Sequence, residues 1–403
     1  MLYDAFDTPN RMPIARWEKT GVEVASGYTL VAELGSLSLE FTRLSQLTGE
    51  PKFFDAIQRI TNGFDKQQNI TRLPGMWPVN VNARELEFRE DTGFTLGGMS
   101  DSTYEYLAKV RRCINPCIAS LTRKKEYLLL GGLEFQYQRL YQTALTTIKQ
   151  HIFFRPMTVD NSDILFTGNA QAIPGLSITL DPQVQHLGCF AGGMVAIGAK
   201  IFNEPKDLDI ARKLVDGCIW AYNLTPTGIM PELFHVVPCP APNRSSGEHC
   251  AWNEDAWGMA LMSRNSFDEQ PRDKELPFEE RLRNKAQRLR LPKGVTAMSD
   301  KSYKLRPEAI ESIFVLYRIT GDERLREEAW KIFEAIVAET RTDIAFASID
   351  DVTWKHSPKS DKMESFWMAE TLKYFYLLYS EPDVVSLDDF VFNTEAHPFR
   401  RPK

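Results

Sequence analysis

The sequence predicts an all-α fold that is built from repeated helical hairpins. Three stretches each contain two apolar stripes at helical spacing, joined by a short turn that holds glycine or asparagine beside an acidic residue. The turns lie at 48–51, 203–205 and 320–322. Because one hairpin of this kind leaves its apolar faces uncovered, such units must stack or close into a ring. The alternative is a set of unrelated helical bundles that share this turn by chance.

Apolar residues at spacings of three and four define each hairpin. In the first hairpin we predict one continuous helix from Leu30, Leu34, Leu37, Phe41 and Leu44, and a returning helix from Phe53, Ile57, Ile60 and Phe64. The last hairpin begins at Pro307, because proline is tolerated at the first position of a helix, where its missing N–H is not needed. A further helix follows Met363, and residues 388–398 predict a short β-hairpin segment.

Length and composition suit one large globular domain. The chain has 403 residues, of which 43% are hydrophobic and 25% are charged. We predict a single domain over residues 1–403, with a densely charged surface insertion at about 266–304. A net charge of −6 argues against a nucleic-acid partner. The most apolar run, at 188–202, is too short to span a bilayer and contains Lys200, so we expect no transmembrane segment in this chain.

Two cysteines flank the second hairpin turn. Cys189 and Cys218 each lie about fourteen residues from Asn203, and antiparallel helices that rise about 1.5 Å per residue bring such positions level. A disulfide there would contribute about 3–4 kcal/mol in the chain-entropy model. The alternative is two buried free thiols. The symmetry about the turn favours the bridge.

The remaining cysteines leave their pairing open; they are Cys113, Cys117, Cys239 and Cys250. A zinc site is disfavoured, because His249 is the only suggestive neighbour and no second CxxC pattern completes it. Three N-glycosylation sequons begin at Asn69, Asn223 and Asn243. Together with the cysteines they indicate a glycoprotein of the secretory pathway, although the sequence does not begin with a signal peptide.

Carboxylates stand near the start of three predicted helices; they are Asp101 with Glu105, Glu308 with Glu311, and Glu364. The simpler interpretation is that acidic residues favour the unpaired N–H groups of a first turn, with Ser102 and Glu105 as a capping box. In a ring of hairpins, however, alternate helices start at the same end, so these carboxylates would converge on one cavity. Carboxylates and nearby aromatic residues suit a sugar site, because they supply acid, base and stacking faces.

Six phrases occur in order along the chain; they are Ser100–Lys109, His186–Phe190, Leu305–Ser312, Lys362–Phe366, Glu370–Tyr374 and Phe392–Pro398. In sequence and order they resemble the class I α-1,2-mannosidases, glycoside hydrolase family 47. The resemblance extends from about residue 25 to the C-terminus. It implies an (αα)7 barrel, inverting hydrolysis of α-1,2-linked mannose from N-glycans, and one bound Ca²⁺.

The resemblance also assigns residues to roles. Thr394 matches the direct calcium ligand, with water and sugar hydroxyls completing the six to eight oxygens that Ca²⁺ prefers. Glu308 matches the general base, and Asp101 matches the second catalytic carboxylate. The residues that match the pocket around the sugar and the metal's waters are Arg306, Glu311, Glu364, Phe366 and Glu395. Cys189 and Cys218 match the disulfide of the family.

The sequence departs from the family pattern in two places. Met99 stands where the endoplasmic-reticulum branch has an arginine and the Golgi and fungal branches have an aliphatic residue. This difference implies the broader trimming specificity. Family members also have hairpins upstream of the segment that resembles 6–9, and one of them holds the usual general acid. We therefore expect a barrel that is incomplete at the N-terminus. We expect weak activity, because loss of a general acid costs about 10²–10⁴ in rate.

Three functions are compatible with a helical toroid of this kind. The first is a Ca²⁺-dependent α-1,2-mannosidase, monomeric, acting on high-mannose N-glycans of glycoproteins in the lumen of the Golgi or endoplasmic reticulum, or outside the cell. The second is a non-hydrolysing mannosidase-like protein that binds glycans in glycoprotein quality control. The third, an α-toroid such as a terpene cyclase, is disfavoured because the sequence has no Asp-rich diphosphate motif.

Overall fold

The computed structural model describes residues 2–15, 24–109, 135–240, 250–265, 267, 273 and 275–401. Helices predominate in these residues. The α-helices are α1 (Val31–Gly35), α2 (Ser38–Thr48), α3 (Pro51–Gln67), α4 (Asp101–Lys109), α5 (Phe135–His151), α6 (Phe190–Phe202), α7 (Pro205–Asn223), α8 (Glu254–Arg264), α9 (Phe278–Leu289), α10 (Glu308–Thr320), α11 (Glu323–Thr340) and α12 (Leu372–Tyr379). A 3₁₀ turn at His186–Cys189 leads into α6, and a π-helical turn at Trp367–Thr371 leads into α12.

The strands are short and pair in an antiparallel manner. They are β1 (Thr29–Leu30), β2 (Asn80–Val81), β3 (Gly93–Thr95), β4 (Phe153–Phe154), β5 (Phe166–Thr167), β6 (Asn169–Gln171), β7 (Thr179–Asp181), β8 (Gln183–Gln185), β9 (Leu233–Val236), β10 (Val295–Asp300), β11 (Phe390–Phe392) and β12 (Pro398–Arg400). Two sheets have three strands, in the orders β3-β6-β7 and β10-β9-β8. The other pairs are β1 with β2, β4 with β5, and β11 with β12.

The three predicted hairpins are confirmed as α2–α3, α6–α7 and α10–α11. Each turn contains one residue in the left-handed region, Gly49 at φ 74°, Asn203 at φ 57° and Gly321 at φ 68°. Glycine and asparagine adopt this conformation at low cost, which explains their place after the last helical residue. The returning helices α3 and α7 begin with proline, and Asp322 caps α11 by accepting a hydrogen bond from the Arg324 N–H.

The prediction of one continuous helix through Leu30 and Leu44 is wrong, because α1 ends at Gly35 and α2 begins at Ser38. The hydroxyl of Ser36 donates to the carbonyl of Ala32 and lies 2.6 Å from the hydroxyl of Ser102 on α4. Serine side chains compete with the helical backbone in this way. The break lets α1 approach α4 closely, since a Cβ at Gly35 would lie 2.3 Å from Thr103 Oγ1.

Helix α4 packs against α6, α6 against α10, and α10 against α12. The starts of α6 and α10 lie together, because His186, just before α6, is hydrogen-bonded to Glu308, the first residue of α10. The described residues thus form an all-α arrangement of hairpins with small sheets. Closure into an (αα)7 barrel stays a prediction.

The predicted C-terminal β-hairpin is confirmed as β11 and β12, in which Phe390 pairs with Arg400 and Phe392 with Pro398. The ring of Phe392 is buried, with its centroid 6.1 Å from that of Phe314 on α10 and 5.8 Å from that of Tyr374 on α12. Aromatic pairs at these distances add to the energy of burial. The hairpin is therefore anchored to two helices of the core, and this fixes the turn that holds Thr394.

The structure joins Cys189 to Cys218, as predicted, and joins Cys239 to Cys250, a pairing that the sequence left open. Cys113 and Cys117 lie outside the described residues. In the described part of the chain, no helix is long and apolar enough to cross a membrane.

The range 266–304, for which we predict a charged surface insertion, contains α9 and β10. Helix α9 exposes most of its charged side chains but buries Leu282. Strand β10 pairs with β9, and its Val295 and Thr296 are fully buried. The predicted surface location therefore fits α9, whereas β10 belongs to a sheet of the core.

Candidate active site

The two carboxylates predicted to be catalytic are both the first residue of a helix, Asp101 of α4 and Glu308 of α10. They lie close enough for the charge of Glu308 to act on the pKa of Asp101. Unpaired backbone N–H groups favour a carboxylate at such positions. The predicted convergence of helix starts is therefore present for this pair.

Glu308 lies between two basic side chains. Its Oε2 is 3.0 Å from His186 Nδ1, and its Oε1 is 3.8 Å from Arg306 Nη1. Burial alone would raise the pKa of Glu308, but the hydrogen bond to His186 and the charges of His186 and Arg306 outweigh it. The pKa of Glu308 is therefore lowered, and its carboxylate is ionised at neutral pH.

The fully buried ring of His186 is held from both sides. Its Nε2 lies 2.9 Å from Tyr222 Oη, opposite the contact with Glu308. Burial raises the pKa of Tyr222 far above the usual range, so the phenol keeps its proton. Each ring nitrogen of His186 thus has one partner, Nε2 the Tyr222 hydroxyl and Nδ1 the Glu308 carboxylate. This arrangement orients Nδ1 toward the carboxylate.

Asp101 is in the opposite electrostatic position. Burial raises the pKa of Asp101 to about 7, and the charges of Glu105 and Glu308 act in the same direction. The Ser102 N–H donates to Asp101 Oδ1 at 2.9 Å and opposes the shift, but does not cancel it. Near neutral pH, a substantial fraction of Asp101 therefore holds a proton.

A second acidic cluster surrounds Lys109, the last residue of α4. The Lys109 ammonium contacts Glu105 and lies 3.5 Å from Glu311 Oε1, and all three side chains are almost fully buried. Tyr374 Oη donates to Glu311 at 3.3 Å, and burial raises the pKa of Glu311 to about 8. Glu105 therefore pairs with Lys109 rather than closing a capping box with Ser102, so that prediction is wrong.

Arg306 connects the sugar-binding candidates. Its Nε donates to Glu232 Oε2 at 2.5 Å, and its guanidinium carbon lies 5.8 Å from the centre of the Phe366 ring. The structure thus brings together Arg306, Phe366 and Glu308. An arginine over an aromatic face makes a cation–π contact that restrains both side chains.

Glu364 and Met99 are less closely tied to this group. The carbonyl of Glu364 accepts a hydrogen bond from the Trp367 N–H, and the side chain of Glu364 is half-buried. Met99 has φ 75° and its side chain is 57% exposed, just before α4. The structure places both residues in loops that lead into helices of the site.

Thr394 lies in the turn between β11 and β12, where its N–H donates to Tyr106 Oη at 3.2 Å. The next residue, Glu395, is exposed, and its charge acts on Glu370. Burial raises the pKa of Glu370 to about 9, and repulsion from Glu395, Glu311, Glu308 and Glu105 adds to that rise.

These residues fit a hard cation. Several carboxylates repel one another beside a threonine hydroxyl and carbonyl, and Ca²⁺ takes oxygen ligands of these kinds, including water. Among the described residues, no group of three or more His, Cys, Asp or Glu side chains is arranged to hold a metal directly.

A large cavity lies apart from these residues. It has a volume of about 700 Å³ and lies between α8 and α9, where Glu254 and Lys293 on its wall pair with each other at 3.0 Å. None of the predicted site residues lines it. The convergence of carboxylates, rather than the size of a cavity, defines the candidate site.

Sequence reasoning gave no role to four residues of the site, which are His186, Glu232, Lys109 and Glu370. His186, Lys109 and Glu370 lie within the sequence motifs that resemble family 47, so those motifs could have identified them as site residues. Glu232 belongs to none of them, and only its contact with Arg306 identifies it.

Helical hairpins that gather acidic side chains at the start of α4 and α10, beside an arginine and an aromatic ring, define a helical glycoside hydrolase. The comparison with protein families narrows this class. A model described as glycosyl hydrolase family 47 matches residues 1–401, and the chain belongs to that family.

The relatives that this chain resembles are mannosidases. It is 30% identical over 404 residues to the human endoplasmic reticulum mannosyl-oligosaccharide 1,2-alpha-mannosidase, covering 98% of this chain and 47% of that protein. It is 29% identical to the Candida albicans mannosyl-oligosaccharide 1,2-alpha-mannosidase, covering 99% and 63%. The solved alpha-1,2-mannosidase from Trichoderma reesei superposes with a TM-score of 0.73 at 28% identity, covering 100% of this chain and 72% of the other. The chain spans about half the length of the human relative.

Proposed function

We propose that this chain removes α-1,2-linked mannose from high-mannose N-glycans of glycoproteins, with inversion at the anomeric carbon. The observation that carries the proposal is the opposite shift of two pKa values at one site, lowered for Glu308 and raised to about 7 for Asp101. Two carboxyl groups held in different protonation states are what acid–base hydrolysis of a glycoside requires.

Glu308 acts as the general base. Its ionised carboxylate accepts a proton from a water, which attacks the anomeric carbon on the face opposite the leaving group. The charge of Arg306 and the hydrogen bond from His186 keep Glu308 ionised until it takes that proton. After attack, His186 and Tyr222 hold the newly protonated carboxyl in place.

Asp101 supplies the proton to the leaving oxygen as the C–O bond breaks. Its raised pKa keeps the proton available near neutral pH. This is the role that the family resemblance leaves open between Asp101 and an upstream glutamate.

The terminal mannose lies against Arg306 and Phe366, which supply hydrogen bonds and a stacking face. Glu311, Glu364 and Glu395 contact its hydroxyls or the waters beside it. We assign Met99, exposed in the loop before α4, to contact with the next residue of the glycan. Its apolar side chain favours broad acceptance of branches.

Ca²⁺ is proposed at Thr394, with waters oriented by Glu395, Glu370 and Glu311. When bound, it supplies positive charge and oxygen coordination to sugar hydroxyls. Thr394 holds the site, while the three glutamates orient the surrounding waters. The charges of Glu395 and Glu311, which act on buried Glu370, support a cation there.

The compartment is proposed as the lumen of the Golgi or endoplasmic reticulum, or the exterior of the cell. The two disulfides suit an oxidising compartment. The sequon residues Asn69 and Asn223 are both exposed, so each can hold a glycan. We propose that the protein acts as a monomer.

A second candidate is a glycan-binding protein without turnover. The retained Asp101, Glu308 and Thr394 favour the hydrolase.

One experiment separates the two candidates. Purified protein is incubated with a high-mannose N-glycan and Ca²⁺, and released mannose is measured, with its initial anomer read by NMR. We expect β-mannose from the wild type, with turnover reduced about 10²–10⁴-fold in Glu308→Gln while glycan binding persists. Glu279→Gln, an exposed change on α9, is the matched control. Binding without mannose release by the wild type would establish the second candidate, and initial α-mannose would exclude inversion.

A further inference from the structure

We propose that Glu40, on helix α2, is a positioning residue that holds the Thr394 turn in the conformation required to bind Ca²⁺. This inference rests on the proposed metal site at Thr394. It adds a residue of the N-terminal hairpin, 353 positions away from Asn393 in sequence, to a site at the C-terminus.

One carboxylate oxygen of Glu40 joins both sides of the turn. Glu40 Oε1 accepts hydrogen bonds from Tyr106 Oη at 2.8 Å and from Asn393 Nδ2 at 2.8 Å. Tyr106 Oη in turn accepts from the Thr394 N–H at 3.2 Å. The carboxylate is thus one hydrogen bond from Asn393 and two from Thr394.

The Asn393 side chain carries this restraint through the turn. Its Oδ1 accepts from the Glu395 N–H at 3.1 Å and from the His397 N–H at 2.7 Å. Its Nδ2 is therefore the group left for Glu40. Loss of Glu40 would remove the partner of Nδ2 and leave the Asn393 side chain held only through Oδ1.

The orientation of Tyr106 is set by its surroundings. Its hydroxyl donates to Glu40 Oε1 at 2.8 Å, and its lone pairs remain for the Thr394 N–H. Tyr106 thereby connects the Glu40 carboxyl group to the backbone of the turn.

Packing alone does not account for a carboxylate at this position. The second oxygen, Glu40 Oε2, is buried and has no hydrogen-bond partner among the described residues. An unpaired buried acceptor costs stability. Both hydrogen bonds of Oε1 connect to the Thr394 turn, one directly through Asn393 and one through Tyr106. They therefore stabilise the conformation of that turn. Groups that orient a metal ligand typically change metal affinity about 10–100-fold when removed.

The test measures Ca²⁺ binding directly rather than turnover. Wild-type protein is stripped with a chelator and titrated with Ca²⁺ alone, and the rise in melting temperature gives the affinity. We expect Glu40→Leu to lower the affinity about 10–100-fold. Tyr106→Phe removes a single oxygen and is expected to act in the same direction. Glu40→Gln keeps an acceptor oxygen and should lie between the wild type and Glu40→Leu.

Glu327→Leu, an exposed change on α11, is the matched control and should leave the affinity unchanged. If Glu40→Leu fails to fold, Tyr106→Phe and Glu40→Gln decide the matter. An unchanged Ca²⁺ response in Glu40→Leu, or in both of the milder variants, overturns the inference while the metal site stands. A wild type that gains no stability from Ca²⁺ overturns the metal site and this inference together.

Discussion

Glu308 and Asp101 each begin a helix that packs against α6, and both are partly buried, yet their pKa values move in opposite directions. Burial raises both. Glu308 faces His186 and Arg306, whose charges and hydrogen bond reverse the effect. Asp101 faces Glu105 and Glu308, which reinforce it. The position at a helix start is therefore shared, and the partners from other elements decide which carboxyl holds a proton.

Of the substitutions that test this difference, replacement of Asp101 should lower turnover the most. Asp101→Asn cannot donate a proton, so we expect turnover to fall about 10²–10³-fold, within the range for loss of a general acid. In the wild type, activity should decline as pH rises through about 7, because Asp101 then loses its proton. The variant should lack that decline. The measurement is mannose release between pH 4 and 9, with Asp383→Asn, an exposed change, as control. If the activity of Asp101→Asn still declines as pH rises through about 7, the decline belongs to the titration of another group.

Replacement of His186 tests why the pKa of Glu308 is lowered. His186→Phe keeps a ring of similar shape but loses the hydrogen bond that lowers the pKa of Glu308. That pKa should rise, so Glu308 would be protonated at a higher pH and the acid limb of the profile should move upward. A shift of about one pH unit corresponds to about a tenfold loss on that limb. His356→Phe, an exposed histidine, is the control. An acid limb at the wild-type pH would show that His186 does not set the pKa of Glu308.

Replacement of Glu105 should give the smallest of the three effects on the pH profile. Its charge raises the pKa of Asp101, but burial is the larger cause. Glu105→Gln should therefore move the alkaline limb to lower pH without removing it. Since Lys109 also loses a partner, the melting temperature is measured in parallel to confirm a folded protein. A limb that stays in place or moves upward would contradict the electrostatic account of Asp101.

Part of the site was predictable because the relevant signals are local. The turns at Gly49, Asn203 and Gly321 require a left-handed residue, and the sequence offers one at each. Asp101 and Glu308 stand at helix starts that apolar periodicity reveals. The continuous helix predicted through Ser36 failed, because a serine hydroxyl and the close approach at Gly35 are matters of packing against α4.

The helical hairpins, their turns and the motifs that resemble family 47 are predictable from local sequence, because helical period and turn conformation depend on residues a few positions apart. The contacts of His186 with Glu308, of Glu232 with Arg306 and of Cys239 with Cys250 arise from the packing of distant segments. The same holds for the link from Glu40 to Asn393. Such partners are chosen by how whole helices pack, and no local pattern of residues records that choice.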